Sequence, residues 1–543
     1  LAGTGLVYGA LRPFPEELYG TSTRDNLLGS LADNFERIRS LAMSITLTLP
    51  PNRSSNVRDM LDYAFDYVRR PRLSDQDAGA RMMFIVHEQF LVPGTWRVDM
   101  RSIDDFDAVS IVDGPTEVSD KEQDTDFVGQ LAAVAVDTVP DLSGLGVFLA
   151  YLALLRHLVA GSSFSKARDV DTFTKVVHLV EHTVRLIMPV LSRPEENVLG
   201  EGVEGGEGGA DASASLADLI QSRASDEQLI RCRSWMASRE ICITIQSLWN
   251  AVLPAAHGLF EAGLRATVDA LMHVLLRAQH YGSIDSAKAT LQHICSTRGG
   301  SGALVDATTR SCVDALFDHM LRPDQTRRDA IRRSGGMPFG LQSVMVSGPK
   351  SRISSVIMER LLEICESGES GESTGTVGPA IADGRDNAVH WPKVHALNVL
   401  RLVYSDPRLS ALDRYHGVGF TVVLKSLSDP SWEVQNSAAL CFTSLVISKV
   451  MGGGAGNVRR VNHVDTWPSR ALSAEGFLGR YRDVDQFMIG VLGSGVENSM
   501  LAPVLALLGR LKPQSSPPGG TAVGDAGRSL PAPGATATIQ RYS

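Results

Sequence analysis

An all-α fold, a HEAT/armadillo-like α-solenoid, is what this sequence predicts, on three observations. Apolar residues recur at spacings of three and four through most of the chain. Strand-like alternation is nearly absent, and aromatics make up only 6% while Leu, Ala, Val and Ile abound. Two segments about 400 residues apart share one skeleton.

The first element shows the reasoning. From Asn26 to Leu49, the residues Leu27, Leu28, Leu31, Phe35, Ile38, Leu41, Ala42 and Ile45 paint one helical face, and Pro50-Pro51 stops it. Met60 to Val68, Ala80 to Leu91, Val147 to Val159 and Phe173 to Leu191 repeat the pattern. Trp96 to Met100 alternates and predicts a short extended piece. Further helices are expected at Asp226–Leu253, Leu264–Ala278, Ile284–Cys295, Ala303–Met320, Ile353–Cys365, Val394–Tyr404, Tyr415–Leu427, Asn436–Val450, Phe487–Val491 and Leu501–Leu511.

The domain reading follows composition. Residues 1–199 are N-terminal helical repeats. Residues 200–215 form a linker whose first part, Gly200 to Ser213, holds six Gly and four acidic residues. Residues 216–513 form a second helical-repeat domain with a polar insertion at 366–387, and 514–543 is a Pro/Gly/Ala tail read as disordered. The chain opens at Leu1 within a helical pattern, so a piece of a longer polypeptide is expected.

The shared skeleton runs from Ser30-Leu31 to Ala42 and from Ser426-Leu427 to Ala438. Each copy has an Asp (Asp33, Asp429), a β-branched residue five later (Ile38, Val434), then Arg39 or Gln435, then Ala. In a helix–turn–helix repeat the Asp caps the second helix, and the β-branched residue and Ala face inward. The first copy lies within Asn26–Leu49. Asp33 caps nothing if that helix is unbroken.

Bulk properties exclude several functions. The formal charge of −9 argues against a surface that is basic throughout, so any RNA contact has to be local. The six cysteines form no CxxC pair and read as buried reduced thiols. There is no signal peptide or long apolar run, so no membrane association is expected and a cytoplasmic location is.

Catalytic patterns fail on spacing. Leu131 to Val136 weighs as a strand ending in Asp137, but Gly144-Leu145-Gly146 follows too late to cradle a cofactor; a loop before the Val147 helix fits better. Gly493-Ser494-Gly495 lacks the spacing of a nucleophile elbow, and no phosphate-binding GxxxxGK[ST] occurs. His390 and His395 are spaced like metal ligands, but Trp391-Pro392 should break any helix between them and no further ligand completes a site, so no metal is expected. No acid–base pair stands in context, and no enzyme activity is expected.

One segment departs from the acidic average. Residues 321–352 carry Arg322, Arg327, Arg328, Arg332, Arg333, Arg352 and Lys350 against Asp324 and Asp329. Within it, Ser334-Gly335-Gly336 permits unusual backbone angles and Pro338 suits the start of a helix. Two arginines beside exposed N–H groups suit a phosphate; an Arg pair bonded to neighbouring helices around a tight turn is the structural alternative. Arg327, Arg328, Arg332, Arg333, Ser334, Gly335, Gly336 and Pro338 are the candidate contacts.

Taken in order, these motifs resemble the THADA family. Arg332 to Pro338 matches an Arg-Arg-Ser-Ala-Gly-Leu-Pro motif with Gly335 for Ala and Met337 for Leu. Val394-His395-Ala396-Leu397-Asn398 matches a second segment. Trp432 to Ala438 matches a third, in which Gln435 replaces Arg and Asn436 is kept. Cys232-Arg233-Ser234-Trp235, Arg239-Glu240, Asp33 to Arg39, and Phe477 onward also resemble family segments, and His280-Tyr281-Gly282-Ser283 stands for His-Arg-Gly-Ala. The resemblance is densest from 226 to 513.

It implies a non-catalytic subunit that positions tRNA for 2′-O-ribose methylation of the anticodon loop, at position 32, by a SAM-dependent methyltransferase. SAM is expected on that partner and no cofactor here; the tRNA anticodon arm is the second partner. Asp33, Arg39, His395, Asn398, Asp429, Trp432 and Asn436 are expected to be structural. A HEAT scaffold for protein cargo, without an RNA role, is the competing reading.

Overall fold

The computed structural model describes residues 21–48, 57–70, 73–91, 96–100, 109–113, 128–133, 135–136, 145–160, 170–193, 213–255, 260–297, 302–323, 325, 334–348, 351–366, 390–451, 471–494 and 500–512. The described residues are almost all helical, as expected. They fall into two compact units, one of residues 1–290 and 297–304 and one of 291–296 and 305–543.

In the first unit the helices are α1 (Thr21–Ser30), α2 (Glu36–Thr48), α3 (Val57–Arg69), α4 (Leu73–Val86), α5 (Leu145–Ala160), α6 (Val170–Leu191), α7 (Ser213–Val252), α8 (Glu261–Arg277) and most of α9 (Tyr281–Ser296). α6 shows why they form. Phe173, Val176, Val177, Val180, Val184, Ile187, Met188 and Leu191 follow three-and-four spacing and are all buried. Asp171 sits in its first turn, where the helix dipole favours a carboxylate. α7 packs on α5 and α6, so the helices on both sides of residues 200–212 share this unit. Trp249 of α7 is fully buried, and its indole N–H donates to Thr267 Oγ1 of α8 at 3.2 Å.

The expected single helix over Asn26–Leu49 is two helices. Asp33 Oδ1 accepts the Phe35 N–H at 2.8 Å, an Asx turn that ends one helix and begins the next. Arg39 Nη1 donates back to the Asp33 carbonyl at 2.7 Å. The expected inward face is only partly inward: Leu31 and Ala42 are buried, whereas Ile38 is 41% exposed and Phe35, Leu41 and Ile45 are exposed with it. Three-and-four spacing marks a shared face without saying what covers it.

Two more sequence readings change. Residues 131–133 and 135–136 are helical, which removes the strand weighed at Leu131–Val136. Cys232 is exposed and Cys295 half-buried, against the expectation that all six thiols are buried; none of the six is in a disulfide. Burial pushes Cys242 and Cys365 up to about 12 and Cys295 up to about 11, so these thiols stay protonated. The extended piece at Trp96–Met100 is a strand, β1, paired antiparallel with β2 (Val109–Asp113) in the register Val98 opposite Ile111.

The second unit contains most of α10 (Gly302–Met320), together with α11 (Met337–Ser347), α12 (Arg352–Glu366), α13 (Trp391–Ser405), α14 (His416–Ser426), α15 (Trp432–Leu445), α16 (Ala474–Arg480), α17 (Arg482–Gly493) and α18 (Leu501–Leu508). α13 packs against α11, α12 and α15, and Lys393 through Leu400 are buried without a break. Trp391-Pro392 opens this helix rather than breaking one, because a proline in the first turn gives up no intrahelical bond. His390 caps it, its Nδ1 accepting the Lys393 N–H at 3.2 Å. The 3₁₀ turn at Pro407–Tyr415 and the helices α11 and α16 are additional to those expected as helical runs.

Tyr404, fully buried at the end of α13, packs against α14, where a Cβ built on Gly419 would lie 2.1 Å from its hydroxyl. That hydroxyl has no hydrogen-bond partner. Gly419→Ala is therefore expected to cost about 1–3 kcal/mol by overpacking. Tyr404→Phe is expected to be neutral or stabilising, since it removes an unmet polar group, and the double variant should recover only part of the loss in urea denaturation, because the ring carbon Cζ that Phe keeps would still lie 2.8 Å from the new Cβ. A Gly419→Ala protein as stable as the parent would contradict this packing. Among the described residues no helix is long and apolar enough to cross a membrane.

Candidate functional site

A helix buried on nearly all sides has to satisfy every polar side chain it carries. α13 carries three in its first two turns. Lys393, 4% exposed, reaches Asp429 with Nζ–Oδ2 at 2.9 Å. His395 and Asn398, one turn apart on one face, both reach Ser334.

Ser334 sits in the tight turn before α11. Its φ is +70° and that of Gly335 is +60°. The left-handed region is free for Gly335 but costs a serine about 1 kcal/mol or more. The surrounding bonds hold it there. Asn398 Nδ2 donates to Ser334 Oγ at 3.0 Å, and Ser334 Oγ lies 2.6 Å from His395 Nδ1. The other imidazole nitrogen, Nε2, meets Gln325 Oε1. Gln325 in turn donates through Nε2 to the carbonyls of His319, at 3.1 Å, and Met320 at the end of α10.

This chain of bonds fixes the proton positions. The Gln325 amide spends its N–H groups on carbonyls, so its oxygen accepts from His395 Nε2–H. In the neutral imidazole Nδ1 is then an acceptor, and the Ser334 hydroxyl donates to it while accepting from Asn398. A serine bonded to a histidine has the look of a nucleophile and its base. Here Ser334 is 5% and His395 2% exposed, and the group orienting the imidazole is a neutral amide rather than a carboxylate. The arrangement holds a turn and offers no substrate access.

Of the candidate contacts, Ser334, Gly335, Gly336 and Pro338 are described. Gly336, Met337 and Pro338 are buried, so the start of α11 does not present its N–H groups to solvent, against the expectation from sequence. Arg327, Arg328, Arg332 and Arg333 lie outside the described residues.

Asp429 and Gln435 repeat the construction at Asp33 and Arg39. Asp429 Oδ1 accepts the Ser431 N–H at 2.9 Å, and Gln435 Nε2 donates to the Asp429 carbonyl at 2.6 Å. Both copies thus place an Asx turn three residues before a helix and a side-chain donor six residues on. Gln435 keeps the bond that Arg39 makes, so the positive charge absent there is not needed for the turn. Trp432, 61% exposed, and Asn436, also exposed, lie one turn apart on the outer side of α15.

Two further segments singled out in the sequence meet in the first unit. A Cβ on Gly282 would lie 2.2 Å from Trp235 Nε1, and the Trp235 and His280 rings are 5.3 Å apart. Asp33 to Arg39 and Arg239-Glu240 also converge, on a buried ionic group. Asp77 takes Arg39 Nε and Arg81 Nε, each at 2.8 Å, while Arg156 reaches Glu240 at 2.9 Å. Burial raises the Asp77 carboxyl, but Arg81, Arg156 and Arg39 outweigh it and hold it below the ordinary range.

Gln325 and Lys393 escape a reading from sequence. Lys393 precedes a motif that does stand out, and an ammonium at the head of an apolar helix is the signal for a buried pair. No His/Cys/Asp/Glu cluster able to hold a metal occurs among the described residues, and His390 and His395 are both engaged as above.

Comparison with known proteins supports the resemblance. Residues 171–433 match the family model described as THADA/TRM732, DUF2428. The chain is 25% identical over 316 residues to the tRNA (32-2′-O)-methyltransferase regulator THADA of Gallus gallus, covering 54% of this chain and 15% of that protein. It is 28% identical over 164 residues to the Homo sapiens protein of the same name, 30% of this chain and 7% of that one. It is 22% identical over 306 residues to the regulator trm732 of Schizosaccharomyces pombe, 52% of this chain and 19% of that protein. The chain therefore spans less than a fifth of the length of these relatives.

Proposed function

We propose, taking residues 171–433 as a THADA/TRM732 region, that this chain is a non-catalytic part of a tRNA 2′-O-methyltransferase complex. Its role is to position the anticodon arm for ribose methylation at position 32 by a SAM-bearing partner. The relatives are named regulators of such an enzyme, which supports a regulatory rather than a catalytic part. A cytoplasmic site of action fits that reading.

The observation that carries the proposal is the Ser334 turn. Two motifs of the resemblance, Arg332–Pro338 and Val394–Asn398, are bonded to each other through Ser334, His395 and Asn398. Arg332 and Arg333 stand directly before that turn, and guanidinium groups pair with phosphates bidentately.

The test is reconstitution of this chain, the methyltransferase of its own organism, unmodified tRNA and SAM, with methylation at position 32 as the readout. Methylation should need both proteins. Replacing Arg332 and Arg333 with Ala should abolish it while leaving helical circular dichroism and melting unchanged. Loss of folding in that variant, or methylation without this chain, would sink the assignment. Binding of a protein cargo with no tRNA affinity would favour the scaffold alternative.

A further inference from the structure

We infer that Tyr281, the first residue of α9, is a stacking surface for an unpaired base of single-stranded RNA, held out from the first unit by Trp235, His280 and Gly282. The inference rests on the tRNA reading above and deepens it.

Tyr281 is 66% exposed, and what lies beside it explains why. Trp235 of α7 and His280 fill the inner position, their rings 5.3 Å apart and tilted by 41°. Gly282 lies so close to the indole that a Cβ there would clash with its Nε1 and Cε2. The inner place is taken, and the phenol is left outside. The turn is also held from the other side, because the Gln279 N–H donates to the Leu191 carbonyl at the end of α6 at 2.7 Å. A side chain presented by a turn fixed on both sides gives up little freedom on binding.

The charge around the ring suits RNA. No acidic residue occurs from Met272 to Ile284, a stretch that carries His273, Arg277 and His280 in a chain of net charge −9. His273 and Arg277 are exposed one turn apart at the end of α8. Arg239, half-buried, stands one turn after Trp235 on the same face of α7. Its neighbour Glu240 is buried and taken by Arg156. Asp285, one turn into α9, is the acid nearest to Tyr281 in sequence. An exposed ring among cations can take a base on its π face while the cations meet the adjoining phosphates.

The residue type argues for stacking rather than charge. His280-Tyr281-Gly282-Ser283 stands for His-Arg-Gly-Ala in the resemblance, so an aromatic ring replaces a guanidinium. The two differ in charge and share a flat face. RNA bases stack on aromatic rings and on arginine planes alike. A phosphate contact would need the charge, and a packing role would not leave the ring in solvent. Tyr281 is the contact residue; Trp235, His280 and Gly282 are positioning residues.

The experiment measures binding of an unmodified tRNA transcript to the full chain at several salt concentrations, alone and with the methyltransferase of its own organism. Melting and binding of the methyltransferase itself are followed in parallel. Tyr281→Ala, Tyr281→Phe, Tyr281→Arg and Arg277→Ala are compared. Tyr281→Ala should lower tRNA affinity about tenfold, with melting and the slope of log K against log salt unchanged, since no phosphate contact is lost. Tyr281→Phe and Tyr281→Arg keep a stacking plane and should bind within about threefold of the parent. Arg277→Ala should instead flatten the salt slope by about 0.7 for each phosphate no longer neutralised. If Tyr281→Ala keeps the parent affinity, or changes melting alone, the stacking site is overturned and the tRNA reading stands. A loss in Tyr281→Phe as large as in Tyr281→Ala overturns it too, because the hydroxyl and not the ring then makes the contact. If Tyr281→Ala loses the methyltransferase rather than the tRNA, this face docks protein and the inference fails. If the parent binds no tRNA under either condition, the tRNA reading fails and the site falls with it.

Discussion

Asp429→Ala should destabilise the chain by about 3–5 kcal/mol, because it strands the Lys393 ammonium inside the second unit. The three bonds that Asp429 accepts run in different directions. Oδ2 meets Lys393 Nζ at 2.9 Å, Oδ1 accepts the Ser431 N–H at 2.9 Å, and the main-chain carbonyl accepts from Gln435 at 2.6 Å. Alanine keeps only the last. Lys393 is 4% exposed, so its charge has no water to turn to, and the Asx turn before α15 loses its acceptor as well. Asp429→Asn separates these effects, since an amide oxygen keeps the turn but not the charge pairing. Lys393→Met should be milder than Asp429→Ala: the carboxylate left behind is 15% exposed and still held by the Ser431 amide. Lys393→Met combined with Asp429→Asn should recover most of the stability, because a buried ion pair replaced whole is often neutral. Urea denaturation of the four proteins checks the order. An Asp429→Ala protein within 1 kcal/mol of the parent, on the order of a surface pair, would show that water reaches Lys393.

The same pair shows how far the sequence was legible. Helices such as α6 could be read because burial and spacing agree over five or more turns, so no other element fits. The break between α1 and α2 was legible only through the Asp33 skeleton; apolar spacing alone ran straight through it. Spacing also put Ile38 inward. The register of a face is local information, while its covering neighbour is not. The site was legible in pieces. Ser334, His395, Asn398 and Asp429 stood out as motif residues, but what joins them lies 36 to 70 residues apart in sequence. Gln325 could not be found this way, since an isolated glutamine after an aspartate carries no pattern. Its meaning comes wholly from the imidazole it meets.

Acid should destabilise the second unit through His416, and the window follows from its pKa. His416 opens α14, with its ring edge-on to that of Tyr404 of α13. Burial lowers its pKa first; Lys449 and Arg480 lower it further, and Asp413 opposes them, leaving it at about 4. Asp413 cannot win because it is shared: Arg480 holds it at 2.8 Å, Lys449 stands at 3.9 Å, and His416 Nδ1 is 3.3 Å away. An unfolded histidine titrates near 6.5. Between about 6.5 and 4 the unfolded chain therefore binds a proton that the folded chain does not, and stability falls as pH falls. The slope is about 1.4 kcal/mol per pH unit, or roughly 3 kcal/mol across the window. Above 6.5 both states are neutral and the effect is gone. His157 in the first unit is lowered well below its ordinary value by burial, then by Arg156 and Arg81, and adds a slope of the same sign. Asp406, held low mainly by Arg408 against its burial, acts only below about 3.8. Comparing the parent with His416→Gln from pH 7 to 4 cancels those contributions, because the variant lacks only the one titration. The His416→Gln protein should lose less stability over that range than the parent. Identical curves would mean that water or Asp413 lets the folded His416 take up its proton at the ordinary pH.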